Sequence, residues 1–93
     1  MPKHAWSEAD DIVAFYLYRY ETGSLKMSIN TISKKLGMSE TSLKMRIGNF
    51  KAIDGTGGLD NYARLSKDVY DKYKFVSEKD HLQKVQRILG IGS

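Results

Sequence analysis

The sequence contains no cysteine, which excludes a disulfide framework, a thiolate nucleophile and a thiolate metal site. Its apolar runs are only a few residues long, far short of the roughly 20 residues that span a bilayer. No N-terminal leader is recognisable, because Glu8, Asp10 and Asp11 interrupt the stretch that an apolar leader core would occupy. Internal repeats and low-complexity segments are also missing. We therefore expect a cytoplasmic protein that does not associate with membranes.

What the sequence does contain is enough apolar material for one small domain over residues 1–93. Hydrophobic residues make up 41% of the chain, including three Phe, six Tyr and one Trp. The charge is unevenly distributed. Residues 26–51 hold six Lys or Arg against one Glu, a local charge of +5, whereas the rest holds nine basic against ten acidic residues. The whole net charge of +4 is thus concentrated in one quarter of the chain, which favours a polyanionic partner.

Apolar residues recur at helical spacing between capping residues and glycines, which predicts an all-α bundle of about five helices. The first helix is predicted to begin after Ser7, with Asp10 completing a capping box, and to end at Gly23. The fourth is predicted to start near Ser66. The fifth is predicted to start after Ser77, where Asp80 repeats the capping-box pattern, and to end at Gly90.

Between these elements, two short helices joined by a tight turn coincide with the basic segment. The second helix is predicted from about 29 or 30 to 36, capped by Ser28 or Asn30. Gly37 follows as a residue that adopts the left-handed conformation without a Cβ penalty, and Ser39 caps the third helix. This order predicts a helix-turn-helix, in which the second of the two helices lies in the DNA major groove.

The core positions of such a motif are matched only in part. Ser33 supplies the small residue at the helix contact, and Leu43 supplies an apolar lock behind the third helix. The next locking position, usually aliphatic, holds Arg46, while Ile47 comes one residue later. This departure leaves the rotation of the third helix uncertain by up to about a third of a turn. We expect Arg46 to lie at the rim of the motif, where it suits a phosphate better than a base.

The third helix, about 39–51, is predicted to be the reading helix. Thr41 and Met45 suit thymine methyl groups, Lys44 suits the guanine acceptors, and Glu40 suits the cytosine amino group. The predicted base contacts are therefore Glu40, Thr41, Lys44 and Met45. The predicted contacts to the DNA backbone are Lys34, Lys35, Ser39, Ser42, Arg46, Asn49 and Lys51. Each lysine also has the simpler interpretation of a solvated helix face.

Two stretches resemble a known family. Residues 43–54 (LKMRIGNFKAID) with 58–61 (GLDN), and the opening from Trp6 to Tyr18, resemble the region N-terminal to the nuclease in HNH-type restriction and homing endonucleases. The resemblance covers about residues 6–73 and implies a DNA-recognition module in which Asn49 and the loop 55–61 matter. The His-Asn-His metal site of the family is absent, because the only histidines are His4 and His81.

The resemblance therefore implies a recognition part without the cutting part. Either the chain is the recognition module of a larger nuclease, or it is a stand-alone DNA binder such as a repressor or a competitor for a nuclease site. The alternative is a helical protein-interaction module, of phage or mobile-element origin, that blocks or recruits a partner protein. That alternative predicts an exposed apolar patch and diffuse charge.

An enzyme is the least favoured class, because the sequence has no Ser-His-Asp arrangement and no carboxylate cluster beyond Asp10 and Asp11. We assign those two carboxylates to the N-terminus of the first helix. We expect no cofactor, metal or small-molecule substrate. A homodimer stays open, because the stripe Leu82, Val85, Ile88 and Leu89 suits either a dimer surface or the core, with the core preferred for the first two.

Overall fold

The computed structural model describes residues 6–54 and 64–91, and within those ranges it contains helices and turns but no strand. The prediction of an all-α bundle is therefore confirmed. Histidine 4 and the loop 55–61, singled out in the sequence, lie outside the described residues. The helices are α1 (Glu8–Tyr20), α2 (Ile29–Leu36), α3 (Glu40–Ile53), α4 (Arg64–Tyr73) and α5 (Glu78–Leu89), with a 3-10 turn at Gly23–Leu25.

The centre of the fold is α1, which packs against α3, α4 and α5. Every residue from 10 to 17 is buried, so the apolar surface of this helix extends well beyond a single stripe. Ser7 accepts a hydrogen bond from the backbone N–H of Asp10 at 3.3 Å, and Asp10 accepts one from the N–H of Ser7 at 3.1 Å. This reciprocal pair is the predicted capping box, and it starts the helix at the expected residue.

The helix-turn-helix arrangement is built by local contacts. Ser28, rather than Asn30, caps α2 by accepting the N–H of Thr31 at 3.2 Å. Gly37 adopts φ +80°, which reverses the chain, and the Ser39 side chain accepts the N–H of Ser42 at 3.1 Å. The two helices are thus joined by only three residues, and the buried Met38 anchors this turn to the core.

One predicted boundary is wrong. Helix α1 ends at Tyr20 and not at Gly23, because Glu21 turns the chain at φ 60° and the next residues form the 3-10 turn that buries Leu25. Local capping patterns do not report this burial. Helix α4 is described from Arg64, close to the predicted start near Ser66, and the buried Ser66 hydroxyl donates a hydrogen bond to Asp11 of α1.

The apolar stripe of α5 closes the core. The predicted cap at Ser77 is present, where the side chain accepts the N–H of Asp80, and Gly90 ends the helix at φ +70°. Val85 and Leu89 are buried in the core, and the half-buried side chains of Leu82, Ile88 and Ile91 pack against it. Most of this stripe is therefore used within one molecule. None of the helices in 6–54 and 64–91 is long and apolar enough to cross a membrane.

Candidate nucleic-acid interface

One face of α3 is fixed to the interior of the domain. Leu43 and Phe50, seven residues apart, are fully buried, and the Phe50 ring stacks on Phe15 of α1 with the ring centroids 4.8 Å apart. Ile47, between them, is half-buried and packs against the same core. These contacts provide the predicted apolar lock behind α3, and they hold α3 against α1 along most of its length.

The sequence predicted that Arg46 lies at the rim of the motif, and this prediction is wrong. Its Nε and Nη2 atoms donate to the two carboxylate oxygens of Asp11 at 2.7 and 2.8 Å. Ser66 donates to the same carboxylate at 3.0 Å, and the ring centroid of Trp6 lies 4.3 Å from the guanidinium carbon. The Asp11 side chain is completely buried and that of Arg46 is only 12% exposed. Arg46 is therefore occupied inside the protein, and we remove it from the candidate phosphate contacts.

The same contact corrects the role assigned to Asp11. Asp10 acts at the N-terminus of α1, as predicted, whereas Asp11 points into the domain and binds α3 and α4. Trp6, which lies just before the cap of α1, covers the guanidinium of Arg46 in a cation–π contact. The sequence signal that could have identified this pair was the basic residue at a locking position, which requires a buried acidic partner.

The opposite face of α3 is open to solvent. Thr41, Lys44, Met45, Gly48 and Lys51 are all exposed and follow one another at intervals of three or four residues or side by side. They therefore form one continuous surface, which we call the α3 outer face. Met45 is 70% exposed, an unusual value for a large apolar side chain, and a Cβ on Gly48 would meet no other atom within 4 Å. Three of the four predicted base contacts thus share one accessible surface.

Glu40 lies at the edge of this face and holds two neighbours. Its carboxylate contacts the Lys44 ammonium at 3.0 Å and accepts a hydrogen bond from the Asn30 amide of α2 at 3.2 Å. The Lys44 hydrogen bond, followed by that of Asn30, holds the pKa of Glu40 below its ordinary value. The fourth predicted base contact is therefore ionised and placed beside Lys44, so the pair presents a hydrogen-bond donor next to an acceptor.

The predicted backbone contacts are placed around the motif. Lys34 and Lys35 are exposed in the last turn of α2, and Lys51 is exposed near the end of α3. Ser39 also donates its hydroxyl to the Ser42 hydroxyl at 3.0 Å, so both serines sit together at the N-terminus of α3. Asn49 donates its side-chain amide to the carbonyl of Met45 at 3.2 Å, one turn earlier on the helix.

A polar cluster that the sequence did not predict lies where α3 ends. The Asp54 carboxylate accepts hydrogen bonds from the hydroxyls of Tyr18, at 2.7 Å, and Tyr70, at 2.8 Å. These bonds lower the pKa of Asp54, and the same carboxylate raises the pKa of Tyr18 to about 12. The cluster borders an open cleft of about 380 Å³, also lined by Lys74 and Phe75. Its partners are separated too far in sequence for a local pattern to identify them.

A second unpredicted cluster surrounds His81, which is completely buried. Its Nε2 lies 2.9 Å from the carbonyl oxygen of Ile12, so the N–H is assigned to Nε2, and Nδ1 faces the Arg19 guanidinium at 3.5 Å. Arg19 also donates to the carbonyl of Tyr73 at 2.9 Å. Among the described residues, no group of three or more His, Asp or Glu side chains is arranged to hold a metal ion.

Comparison with known proteins gives no assignment. No protein-family model, curated protein or solved structure matches the chain.

Proposed function

We propose that this chain binds double-stranded DNA through the α3 outer face, which enters the major groove. The observation that carries the proposal is the coincidence of three properties on one helix. The α3 helix follows a three-residue turn after α2, its inner face is locked to the core, and its outer face is exposed within the basic segment. The formal charge of that segment, +5, falls to +4 once Arg46, which Asp11 neutralises, is left out. A protruding helix on a rigid support in a basic segment is the arrangement that a helix-turn-helix reader requires.

The chemistry of the α3 outer face suits base edges. The Lys44 ammonium is a donor for the O6 and N7 acceptors of guanine, and the methyl groups of Thr41 and Met45 suit the thymine methyl group. Glu40 provides an acceptor for the cytosine amino group beside the Lys44 donor. Because donor and acceptor lie one helical turn apart, they can contact the same base pair or adjacent ones.

The remaining candidates suit the phosphate backbone. Lys34, Lys35 and Lys51 provide positive charge on both sides of the turn, and Ser39 and Ser42 lie at the N-terminus of α3, where the helix dipole favours an anion. Contacts of this kind give affinity and salt dependence without sequence information. Asn49, also on α3, remains a candidate contact to the DNA backbone. We expect binding to weaken steeply as salt increases.

The protein-interaction alternative has less support. Among the described residues, the large hydrophobic side chains that stand strongly exposed are Met45 and Phe75, and they belong to different elements, α3 and the turn after α4. An interface dominated by apolar contacts needs a contiguous patch of several hundred Å², which two separated side chains do not provide. This distribution favours the nucleic acid over an apolar protein partner.

The test is selection of duplex DNA from a random-sequence pool at two salt concentrations, followed by affinity measurements on the enriched sequence. Lys44→Ala is the test variant, and Lys79→Ala, an exposed lysine in the first turn of α5, is the charge-matched control. We expect enrichment of one motif, loss of preference at one base pair in Lys44→Ala, and no change of preference in Lys79→Ala. Equal effects of the two variants, or no binding at low salt, would overturn the proposal.

A further inference from the structure

The buried contact of Arg46 with Asp11 lies directly behind the α3 outer face. Arg46 follows Met45 in the chain, so the two side chains leave the helix about 100° apart. One belongs to the exposed surface, and the other enters the interior and meets α1. Any rotation of α3 about its axis would move both side chains together. The contact of Arg46 therefore reports, and restrains, the direction in which Met45 points.

The geometry of this contact is more restrictive than apolar packing. The guanidinium offers two parallel donors to the two oxygens of Asp11, an arrangement that fixes both distance and orientation. Ser66 of α4 orients the carboxylate, and Trp6 covers the guanidinium face, so both partners are held from outside the pair. Apolar contacts lack such directionality and tolerate small rotations. The motif thus has a directional contact where an aliphatic side chain is usual.

We propose that Arg46 is a positioning residue, and that the Asp11–Arg46 pair sets the rotation of α3 and hence which side chains face the DNA bases. This inference rests on the proposed function. It assigns Arg46 no contact with DNA. Its effect passes through the orientation of Lys44, Met45 and Thr41, so its loss reduces recognition of the target sequence and leaves the attraction of the phosphate backbone unchanged.

Two substitutions on different helices test the proposal. Arg46→Lys keeps the charge and loses the two-donor geometry, and Asp11→Asn removes the charged partner without altering α3 itself. Val85→Ala is the control, because it removes buried volume on α5 and lowers stability without touching the pair. All proteins are compared at a temperature where circular dichroism reports a fully folded population. Affinity is measured for the selected sequence and for random DNA, each over a range of salt concentrations.

We expect both test variants to bind the selected sequence about tenfold more weakly, which is the cost of roughly one mismatched base pair. In Arg46→Lys, which keeps the net charge, affinity for random DNA and the dependence on salt should stay as in the unmodified protein, because no phosphate contact is lost. Val85→Ala should keep its sequence preference. If Arg46→Lys retains full specificity while Asp11→Asn strengthens binding to random DNA, Arg46 contacts phosphate and the inference is wrong. An equal loss in Val85→Ala would also overturn it.

A second measurement needs no DNA and separates this inference from the proposed function. Because the chain has no cysteine, Met45→Cys and Ile47→Cys can each be labelled as the single thiol. In the unmodified background, the exposed position 45 should react faster than the half-buried position 47. In the charge-balanced background Asp11→Leu/Arg46→Leu, the two rates should approach each other. Unchanged rates would refute the positioning role, even if DNA binding were established. A failure of DNA binding alone would refute only the proposed function.

Discussion

Two basic residues of α3, Arg46 and Lys44, lie two positions apart and each contacts a carboxylate, yet the two ion pairs differ in surroundings. The Arg46 side chain is 12% exposed and its partner Asp11 is not exposed at all. The Lys44 side chain is 61% exposed and its partner Glu40 is 38% exposed. The buried pair joins two helices 35 residues apart in sequence, whereas the exposed pair links neighbouring turns of one helix.

Burial changes what the same two charged groups can do. In solvent, an ion pair contributes little to stability and its members can exchange partners, which suits groups proposed to contact DNA. In the interior, neither charge can return to water, so the pair keeps its geometry and neither partner can be removed cheaply. The inner side of α3 is therefore suited to fix the helix, and the outer side is suited to bind.

Removing the buried partner should have the largest effect. Asp11→Ala leaves the Arg46 guanidinium without its carboxylate, and loss of one partner of a buried pair costs about 3–5 kcal/mol of unfolding free energy. Urea denaturation followed by circular dichroism measures this cost. Glu40→Ala, which removes the carboxylate of the exposed pair, is the matched control. A cost for Asp11→Ala no greater than that of the control would contradict the division between the two sides.

The stability of the folded domain should also depend on acid, through the buried His81 of α5. The pKa of His81 is lowered from 6.5 to about 4, mainly by burial and also by the charge of Arg19. The hydrogen bond to Ile12 opposes this shift. The folded protein therefore binds fewer protons than the unfolded chain between these values, and stability falls as pH decreases from 6.5 to 4. The full loss from this group is about 3 kcal/mol.

Denaturation at a series of pH values measures this slope, and His81→Gln is the comparison. The variant should be less stable near neutral pH, because the packing around residue 81 is disturbed. Its stability should depend less on pH between 4 and 6.5 than that of the unmodified protein. Identical pH profiles for the two proteins would show that His81 does not carry the effect.

A smaller loss of stability is expected from a change at the N-terminus of α3. Ser39→Ala removes the side chain that accepts the N–H of Ser42, and loss of such a cap costs about 1 kcal/mol. Thermal denaturation measures the stability. Ser28→Ala removes the equivalent cap of α2 and should cost a similar amount. Affinity for DNA should fall more in Ser39→Ala than in Ser28→Ala, and the reverse order would argue against a phosphate at the start of α3.

The smallest effect on stability is expected on the exposed side. Glu40→Gln keeps the shape and the contact with Asn30 but removes the charge beside Lys44, and stability should hardly change because both side chains are exposed to solvent. Binding to random DNA should become stronger, because a negative charge close to the bound DNA is removed. Fluorescence anisotropy on a labelled random duplex measures this change. Unchanged or weaker binding to random DNA would argue against Glu40 at the interface.

Much of the fold could be predicted because most helix boundaries are set by contacts between residues close together in sequence. Ser7, Ser39 and Ser77 each cap a helix through an N–H three residues away, and Gly37 and Gly90 adopt the positive φ expected of them. The exposed set Thr41, Lys44 and Met45 also follows from periodicity, since the burial of Leu43 and Phe50 fixes the opposite face. The role of this face in DNA binding stays a prediction.

The contacts that the sequence did not predict join polar groups whose partners are distant in sequence. No spacing rule identifies Asp11 as the partner of Arg46, or Asp54 as the acceptor for Tyr18, 36 residues away. The end of α1 at Tyr20 was missed for a related reason, because the burial of Leu25 turns the chain before Gly23 is reached. In each case, the deciding contact forms only after the helices have packed.

Local sequence accounts for the helices, their caps, the tight turn between α2 and α3, and the concentration of positive charge, because these depend on groups within a few residues of one another. Helix packing, by contrast, places Arg46 in the interior and Lys44 outside, and buries His81 against Ile12. The reason is that burial is a property of the packed molecule. Desolvation gives a charged or polar side chain a fixed partner, and that partner is set by which helices meet.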